Sequence, residues 1–246
     1  MARISLVTGG TRGIGFAVAL ALLDAGDVVA VTGTTDGTVR QGVDALRAKS
    51  SAADRVMGFA CDVRQPAMVE AAVRQIVTTA GGLDVLVNSA GVGIGAPVAD
   101  LSHDDWQRII GTNLSGVFHC CKAVIPHLRQ RGGGWIINIS SLSSTAPFIG
   151  GAAYCASKAG LNAFTESLMQ ELRHDNIRVS VVLPGSVATG FSGRPAAAGA
   201  DWKLQPDGAA DRRPRARRLP AAASNRRPRR PAGPKSPWRP NPAAPH

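Results

Sequence analysis

The chain lacks the long apolar stretches from which membrane-spanning helices are built. No run of about 18 or more uncharged apolar residues occurs among its 246 residues, so the sequence predicts no transmembrane helix. Residues 3–7 already have the pattern of a strand, and a glycine turn begins at position 9, which is not the pattern of a signal peptide. We therefore expect a cytoplasmic protein with no membrane partner.

Cysteine is scarce, and the cysteines that are present form no recognisable redox or metal-binding motif. The four cysteines contain no C-x-x-C pair, and the five histidines show no metal-ligand spacing. The cysteines lie in segments with the pattern of buried elements, at Cys61, Cys120, Cys121 and Cys155. We expect free buried thiols, as in a reducing compartment, and no metal site.

Acidic residues are too few to balance the basic ones, but this imbalance is confined to one end of the chain. Residues 1–200 carry 16 basic and 14 acidic side chains, whereas residues 201–246 carry 12 basic and 3 acidic ones. The net charge of +11 therefore belongs mainly to the last 46 residues. It does not make nucleic acid an expected partner of the larger segment.

Residues 201–246 also lack the apolar runs that a core requires. They hold 10 of the 16 prolines, 10 arginines and no glutamate, and proline interrupts helices and sheets. So little apolar surface cannot offset the entropy cost of ordering. We expect a catalytic domain over residues 1–200 and a disordered tail over residues 201–246. The repeated Arg-Arg-Pro-Arg texture is typical of a reading frame shifted near Pro206, and a basic arm for nucleic acid or membrane is the alternative.

Apolar segments alternate with helical segments through the first 190 residues. The strand candidates are residues 4–7, 28–31, 56–60, 83–87, 135–139 and 178–183. Alternating strands and helices predict a doubly wound parallel sheet covered on both faces, in the α/β class. Ligands of such sheets bind at the carboxyl ends of the strands, and Gly9, Asp62, Asn88, Ser141 and Pro184 each stand at the end of a candidate strand.

A glycine-rich turn follows the first strand and precedes an alanine- and leucine-rich helix. It runs Thr8-Gly9-Gly10-Thr11-Arg12-Gly13-Ile14-Gly15. Such a turn lets a pyrophosphate approach the first backbone N–H groups and the positive end of the helix dipole. Three glycines alone also occur in ordinary tight turns, but their place between a strand and a helix favours a dinucleotide site.

A spaced triplet, Ser141, Tyr154 and Lys158, carries the chemistry. Tyr154 and Lys158 are four residues apart, so a helix places them on one face. A neighbouring cation favours the phenolate and lowers the pKa of a tyrosine, which is ordinarily about 10. Ser141 follows the apolar run 135–139, and its hydroxyl can reach the same point from the end of that strand. These three groups suit proton exchange with a carbonyl or alcohol oxygen.

Taken together these motifs resemble the short-chain dehydrogenase/reductase family, closest to its ketoacyl reductase-like branch. The matching pieces are Thr8-Gly9-x-x-x-Gly13-x-Gly15, Asp62-Val63, Asn88-Ser89-Ala90-Gly91, Asn113, Ser141, Tyr154-x-x-x-Lys158 and Pro184-Gly185. They cover residues 3 to about 191, and Ser89 stands where the family usually has a second asparagine. The resemblance implies a single Rossmann-like domain of three layers. The family's last helix and last strand have no counterpart in this sequence.

The resemblance also implies a role for each matching residue. Tyr154 is the acid/base, Lys158 lowers its pKa and holds the cofactor ribose, Ser141 orients the substrate oxygen, and Asn113 holds a water of a proton relay. Asp62 is expected at the adenine amino group, although a turn or capping residue is the alternative. The expected cofactor-binding residues are Gly9, Thr11, Arg12, Gly13, Ile14, Gly15, Thr34, Asp62, Val63, Asn88, Ala90, Gly91, Tyr154, Lys158, Pro184, Gly185, Val187 and Thr189.

The residues after the second strand bear on the choice of cofactor. A carboxylate there accepts hydrogen bonds from the ribose 2′-hydroxyl of NAD and repels a 2′-phosphate. Here Gly33, Thr34 and Thr35 follow the strand, and the first carboxylate is Asp36. Arg12 in the glycine turn is placed to meet a phosphate. The sequence favours NADP, with NAD as the alternative.

The leading hypothesis is an NADP-dependent oxidoreductase that acts on a carbonyl or secondary alcohol, with a 3-oxoacyl thioester as one candidate substrate. A catalytically impaired nucleotide-binding protein and a nucleic-acid binder acting through the basic tail are the alternatives. The family usually pairs through the long helices that carry Asn113 and Tyr154, so we expect a homo-oligomer. A dimer is the safer expectation than a tetramer.

Overall fold

A six-stranded parallel sheet forms the centre of the computed structural model, which describes residues 2–187, 189 and 191. The strands are β1 (Ile4–Thr8), β2 (Val28–Gly33), β3 (Val56–Ala60), β4 (Val85–Asn88), β5 (Gly134–Ile139) and β6 (Ile177–Val182). All five pairings are parallel, in the order β3-β2-β1-β4-β5-β6. The predicted doubly wound parallel sheet is therefore confirmed. The strand order reverses between β1 and β4, where such sheets form their ligand crevice.

Helices cover both faces of the sheet and complete three layers. They are α1 (Gly13–Asp24), α2 (Asp36–Lys49), α3 (Pro66–Ala80), α4 (His103–Ile110), α5 (Gly116–Gln130) and α6 (Ala152–Leu172). One core joins the sheet to α3, α5 and α6, and a second core joins it to α1 and α2. Successive side chains of β1 alternate between the two, since Leu6 belongs to the first core and Val7 to the second. This alternation is what a strand buried on both faces requires.

Local sequence signals set where several helices begin and end. The Thr35 hydroxyl accepts the Thr38 N–H at 3.3 Å and caps α2, and the Ser102 hydroxyl accepts the Asp105 N–H at 3.0 Å and caps α4. Pro66 opens α3, where its missing N–H costs no intrahelical bond. Gly81 ends that helix in the left-handed region, at φ 85°.

The segment predicted as one helix from about Asp105 to Arg129 is interrupted. A π-helical turn over Gly111–Ser115 separates α4 from α5, and it is centred on the buried Asn113. Asparagine is a poor residue for a helix interior, and π turns occur often at functional sites. The interruption therefore falls at the one residue of this segment that the family resemblance singles out.

The cysteine prediction is confirmed, because all four thiols are free and buried. Burial raises the pKa of Cys61 to about 11 and that of Cys121 to about 12, so these thiols stay protonated and unreactive at neutral pH. Within the described part of the chain, no helix is long and apolar enough to cross a bilayer. The predictions for residues 201–246, and for a missing last helix and strand, lie outside the described residues.

Helix α2 offers a matched pair of glycines that tests how tightly the glycine turn is packed. A Cβ added at Gly42 meets the Cα of Thr11 at 2.8 Å, whereas a Cβ at Gly37 meets nothing closer than 4.0 Å. We expect Gly42→Ala to lower the free energy of unfolding by about 1–3 kcal/mol through overpacking. Gly37→Ala is expected to raise it by roughly 0.5–1 kcal/mol through helix propensity. Urea unfolding measures both, and equal effects of the two substitutions would contradict the packing described here.

Candidate active site

The glycine turn packs too closely on its surroundings to accept larger residues. Gly9 has φ +64°, and a Cβ there would lie 2.8 Å from the Cα of Ala90. A Cβ at Gly15, in the first turn of α1, would lie 2.4 Å from the carbonyl oxygen of Gly9. Gly13 is also left-handed, at φ +57°. These positions bring the backbone against the next strand end, which is what a cradle for a pyrophosphate requires.

The start of α1 is open to an anion. Its N-cap residue is Arg12, whose extended backbone is accompanied by no side-chain capping bond. The first N–H groups of a helix have no intrahelical partner, and here they lie at the carboxyl edge of the sheet. Ile14, on the same turn, packs against the core beside α1. Thr189 after β6 reaches the turn as well, because its Cβ lies 3.2 Å from a Cβ added at Gly13.

Thr8 connects this turn to the segment that follows β4, a role that the sequence did not reveal. Its hydroxyl accepts the N–H of Ser89 at 3.1 Å and the N–H of Ala90 at 3.2 Å. The buried threonine therefore fixes the expected Asn88-Ser89-Ala90-Gly91 segment against Gly9. The position of Thr8 at the end of β1 indicated that it lies near the site. Its hydrogen-bond partners could not be predicted from the sequence, because they lie 81 and 82 positions away.

Thr11 brings the glycine turn against the end of β2. The methyl group of Thr11 lies 3.1 Å from a Cβ added at Gly33. The next residue after Thr11 is Arg12 and the next after Gly33 is Thr34, and both are exposed. Thr35 uses its hydroxyl to cap α2, so the Thr34 hydroxyl is the one left at this corner for a ligand. A guanidinium and a hydroxyl are therefore exposed at this corner.

Lys158 is buried beneath the site. Its Nζ donates a hydrogen bond to the carbonyl oxygen of Ile139 at 2.7 Å, and the side chain is only 5% exposed. Burial lowers the pKa of Lys158 from 10.5 to about 8, because desolvation disfavours the ammonium. The Nζ lies 5.9 Å from the ring centre of Tyr154, so the pair predicted from the i, i+4 spacing is brought together on α6.

The sequence led us to expect a lowered pKa for Tyr154, but its pKa is raised overall, and the contribution of Lys158 to it stays a prediction. Burial raises the pKa of the half-buried Tyr154 above its ordinary value, and the nearby Ser141 hydroxyl lowers it by less. The physical reason is that desolvation of the phenol outweighs its polar contacts, while the Lys158 ammonium is engaged by Ile139. The raised pKa leaves Tyr154 as a phenol that keeps its proton at neutral pH.

Ser141 is held in place by the short helical turn that follows β5. Its Oγ accepts the Ser143 N–H at 3.1 Å, and this contact leaves the Ser141 O–H free to donate. The Ser141 hydroxyl is near enough to Tyr154 to lower its pKa. The structure therefore brings Ser141, Tyr154 and Lys158 to one place, as the sequence predicted.

The Asn113 side chain is used to hold protein segments together. Its Nδ2 donates to the Val92 carbonyl at 2.9 Å and to the Ser157 hydroxyl at 3.1 Å, and its Oδ1 accepts the Val92 N–H at 2.8 Å. Ser157 donates in turn to the Tyr154 carbonyl at 2.7 Å. Both amide donors of Asn113 are therefore occupied within the protein, where they help to position Tyr154, and the relay water expected at Asn113 stays a prediction.

Two of the remaining predicted residues have polar partners inside the protein. The carboxylate of Asp62 forms an ion pair with Arg64 at 2.6 Å and also accepts the Arg64 N–H, and these contacts lower its pKa. The N-cap of α3 is Gln65, so Asp62 does not cap that helix, but it is a turn residue whose carbonyl accepts the Gln65 N–H at 2.9 Å. The contact of Asp62 with adenine stays a prediction. Asn88 donates to Asn138 at 2.9 Å within the sheet and leaves a buried oxygen, its Oδ1, without a partner.

The last group of predicted residues surrounds the crevice in different ways. Val63 is a core residue that packs against Gly116. Gly91 lies beside the Lys158 ammonium, because a Cβ added at Gly91 would be 4.0 Å from the Lys158 Nζ. The carbonyl of Pro184 accepts the Leu142 N–H at 3.0 Å, which fixes Gly185 beside Leu142, and Val187 is exposed at the rim.

Comparison with known proteins agrees with this geometry. The sequence pattern of the short chain dehydrogenases matches residues 3–197. The chain is 36% identical over 187 residues to the 3alpha-hydroxysteroid dehydrogenase of Mediterraneibacter gnavus, and the aligned region covers 76% of this chain and 74% of that protein. It is 34% identical over 187 residues to the 3-oxoacyl-[acyl-carrier-protein] reductase FabG of Vibrio cholerae, with the same coverage.

A solved structure gives the same result for the fold. NAD+-bound xylitol dehydrogenase superposes with a TM-score of 0.70 at 32% sequence identity, over 74% of this chain and 70% of that one. The chain therefore belongs to the short-chain dehydrogenase/reductase family of NAD(P)-dependent oxidoreductases.

Proposed function

We propose that this protein reduces a small carbonyl substrate to a secondary alcohol, or catalyses the reverse oxidation, with NADP as its preferred cofactor. The observation that carries the proposal is the meeting of Ser141, Tyr154 and Lys158 at the sheet edge that also holds the glycine cradle. The likeness to a 3-oxoacyl reductase adds a 3-oxoacyl thioester to the candidate substrates.

Tyr154 and Ser141 have different roles at the substrate oxygen. A bound nicotinamide cofactor supplies or accepts the hydride at the substrate carbon. Tyr154, which is a phenol at neutral pH, donates its proton to the carbonyl oxygen during reduction. Ser141, whose O–H donor is free, donates a hydrogen bond to the same oxygen and orients it. In the oxidation direction the proton returns from the alcohol to Tyr154.

Lys158 contributes to the same proton-transfer step from its buried position. One of its three N–H donors is fixed by Ile139, so two remain for the ribose hydroxyls of the cofactor. Its cation also stabilises the phenolate that remains on Tyr154 after proton transfer. The buried position strengthens this interaction, because screening by water is weak there.

Tyr154→Phe tests the proton donor. The change removes one hydroxyl and keeps the ring, so we expect kcat to fall by about 10²–10⁴, the usual contribution of a general acid. The dissociation constant for NADPH is expected to stay within a few-fold of the wild-type value. Cys155→Ala, at the next residue of α6, is the control and is expected to keep its activity. If Tyr154→Phe retained more than about a tenth of kcat, less than ~1.4 kcal/mol of the barrier would depend on the hydroxyl, and the assignment would fail.

The titration of Lys158 predicts a pH dependence of cofactor binding. Its pKa of about 8 means that the ammonium is present at pH 7 and lost as the pH rises to 9. Affinity for NADPH is therefore expected to fall as the pH rises through this range, approaching about tenfold per pH unit above the pKa. Fluorescence titration of NADPH between pH 6.5 and 9.5 measures it. Lys158→Met is expected to bind weakly at every pH, and an equally steep decline in that variant would assign the titration to another group.

The corner formed by Arg12 and Thr34 supports the preference for NADP. Gly33, Thr34 and Thr35 provide no carboxylate against a 2′-phosphate, and Arg12 is exposed beside them. Asp36, in the first turn of α2, is the nearest residue that could favour NAD instead.

Arg12→Ala measures this preference. Loss of a charge-assisted contact to the 2′-phosphate is expected to weaken NADPH binding by about 1–3 kcal/mol and to leave NADH binding nearly unchanged. Isothermal titration of both cofactors measures the two constants. Arg40→Ala, which removes another exposed arginine of this end of the chain, is the control. Equal wild-type affinities for NADPH and NADH would contradict the proposed specificity.

We also propose that the protein pairs through the helices that carry its active-site residues. Phe118 on α5 and Met169 on α6 are both exposed, and Lys122 lies over the Phe118 ring at 5.8 Å. Exposed apolar groups of this size are typical of contact surfaces. We expect sedimentation velocity to show a dimer that Phe118→Glu converts to monomer, whereas Met68→Glu on α3 leaves it intact. A wild-type monomer would contradict the proposal.

A further inference from the structure

Three loops enclose the space above Tyr154. They follow β4 (residues 89–102), β5 (residues 140–151) and β6 (residues 183–191, of which 188 and 190 are not described). The first two are joined where the Ala96 N–H donates to the Gly150 carbonyl at 2.9 Å. The second and third are joined by the bond between Leu142 and Pro184. Substrate must enter between these loops, because they surround the reacting hydroxyls.

Each of the three loops exposes large apolar side chains. Ile149 is 89% exposed, Val98 73% and Phe148 54%, and Leu142 and Val187 are also exposed. These loops hold half of the large apolar side chains that are exposed in the described part of the chain. Large apolar side chains exposed together on neighbouring loops are typical of binding sites. We call these five residues the apolar rim.

The apolar rim lies directly beside the catalytic groups. Leu142 is the next residue after Ser141. The Phe148 ring packs on Gly151, because a Cβ added at Gly151 would lie less than 3 Å from three atoms of that ring. Gly151 is the N-cap of α6, one turn before Tyr154. Phe191 closes the other side, with its ring centre 6.0 Å from that of Tyr154. A substrate whose oxygen reaches Tyr154 must therefore lie against these side chains.

The same loops offer little to a polar or charged substrate. Residues 89–102, 140–151 and 183–191 contain one charged side chain, Asp100, and no Lys, Arg or His. The Ser144 hydroxyl donates to the Ser141 carbonyl at 2.6 Å and accepts from Asn162, and Thr145 donates to the Leu142 carbonyl. These hydroxyls are used within the loop, so they hold its shape instead of binding sugar hydroxyls.

We propose that the substrate is an uncharged ketone or secondary alcohol with a large apolar body, and not a polyol, a ketose or an oxo acid. This inference rests on the proposed function, since it assumes turnover at Tyr154. The apolar rim binds the body of the substrate, while Ser141 and Tyr154 bind its single reacting oxygen. Among the relatives, this class is nearer to the substrate named for the hydroxysteroid dehydrogenase than to xylitol.

A series of ketones tests the substrate class. We expect kcat/KM with NADPH to rise from 2-butanone through 2-hexanone to 2-octanone, by as much as about fourfold for each buried methylene and at least tenfold over the series. D-xylulose and 2-oxooctanoate are expected to react at least tenfold more slowly than 2-octanone. Faster turnover of the ketose or the oxo acid would overturn the inference and leave the proposed function intact. No turnover of any ketone by a protein that binds NADPH would overturn both.

Variants of the apolar rim show whether it is responsible. Ile149→Ser and Phe148→Ala are expected to reduce the ratio of kcat/KM for 2-octanone over 2-butanone at least threefold each. Met68→Ala removes an exposed apolar side chain of α3 and is expected to leave the ratio unchanged. Circular dichroism confirms folding of each variant. An unchanged ratio in both rim variants would refute the inference. Loss of the oligomer on sedimentation in the same variants would make the rim a subunit contact instead.

Discussion

The catalytic arrangement depends on one buried amide. Asn113 binds both backbone groups of Val92 and the hydroxyl of Ser157, so it ties the loop after β4 to the helix that carries Tyr154 and Lys158. A regular helix would not place the asparagine at this junction in the same way, and the π-helical turn accommodates it there. The strain of an irregular helix is offset because a buried amide with all of its donors satisfied contributes more than one left unpaired.

A second constraint is the burial of Lys158. Its ammonium is kept in a site where water is excluded, and the Ile139 carbonyl is the partner that makes this tolerable. The cost appears as a lowered pKa, and the benefit is a cation that acts on its neighbours with little screening. The same burial raises the pKa of Tyr154. The site thus holds a buried lysine, which is still an ammonium at neutral pH, beside a tyrosine in its phenol form, and the proposed proton transfer to a carbonyl oxygen depends on both.

Much of the fold could be predicted because its signals are local. Runs such as Val28–Val31 and Trp135–Ile139 are apolar and bounded by glycine or polar residues, and all six predicted strands are present, with ends shifted by at most two residues. The π turn was missed because the helical period of the segment continues across Gly111–Ser115. The roles of Thr8 and Asn113 were not predictable from spacing, since their partners lie 21 to 82 positions away. The direction of the Tyr154 pKa was missed because desolvation depends on everything that surrounds the ring.

The central claim is that the protein passes a hydride to a carbonyl carbon at the edge where the glycine turn meets Tyr154. Incubation with a ketone and NADPH that carries deuterium at both C4 positions of the nicotinamide, followed by mass spectrometry of the alcohol, tests it most directly. The account predicts one deuterium on the carbinol carbon and none on oxygen, because the hydroxyl proton comes from Tyr154 and exchanges with water. Alcohol formed without deuterium on carbon, or no alcohol from a protein shown to bind NADPH, would contradict it.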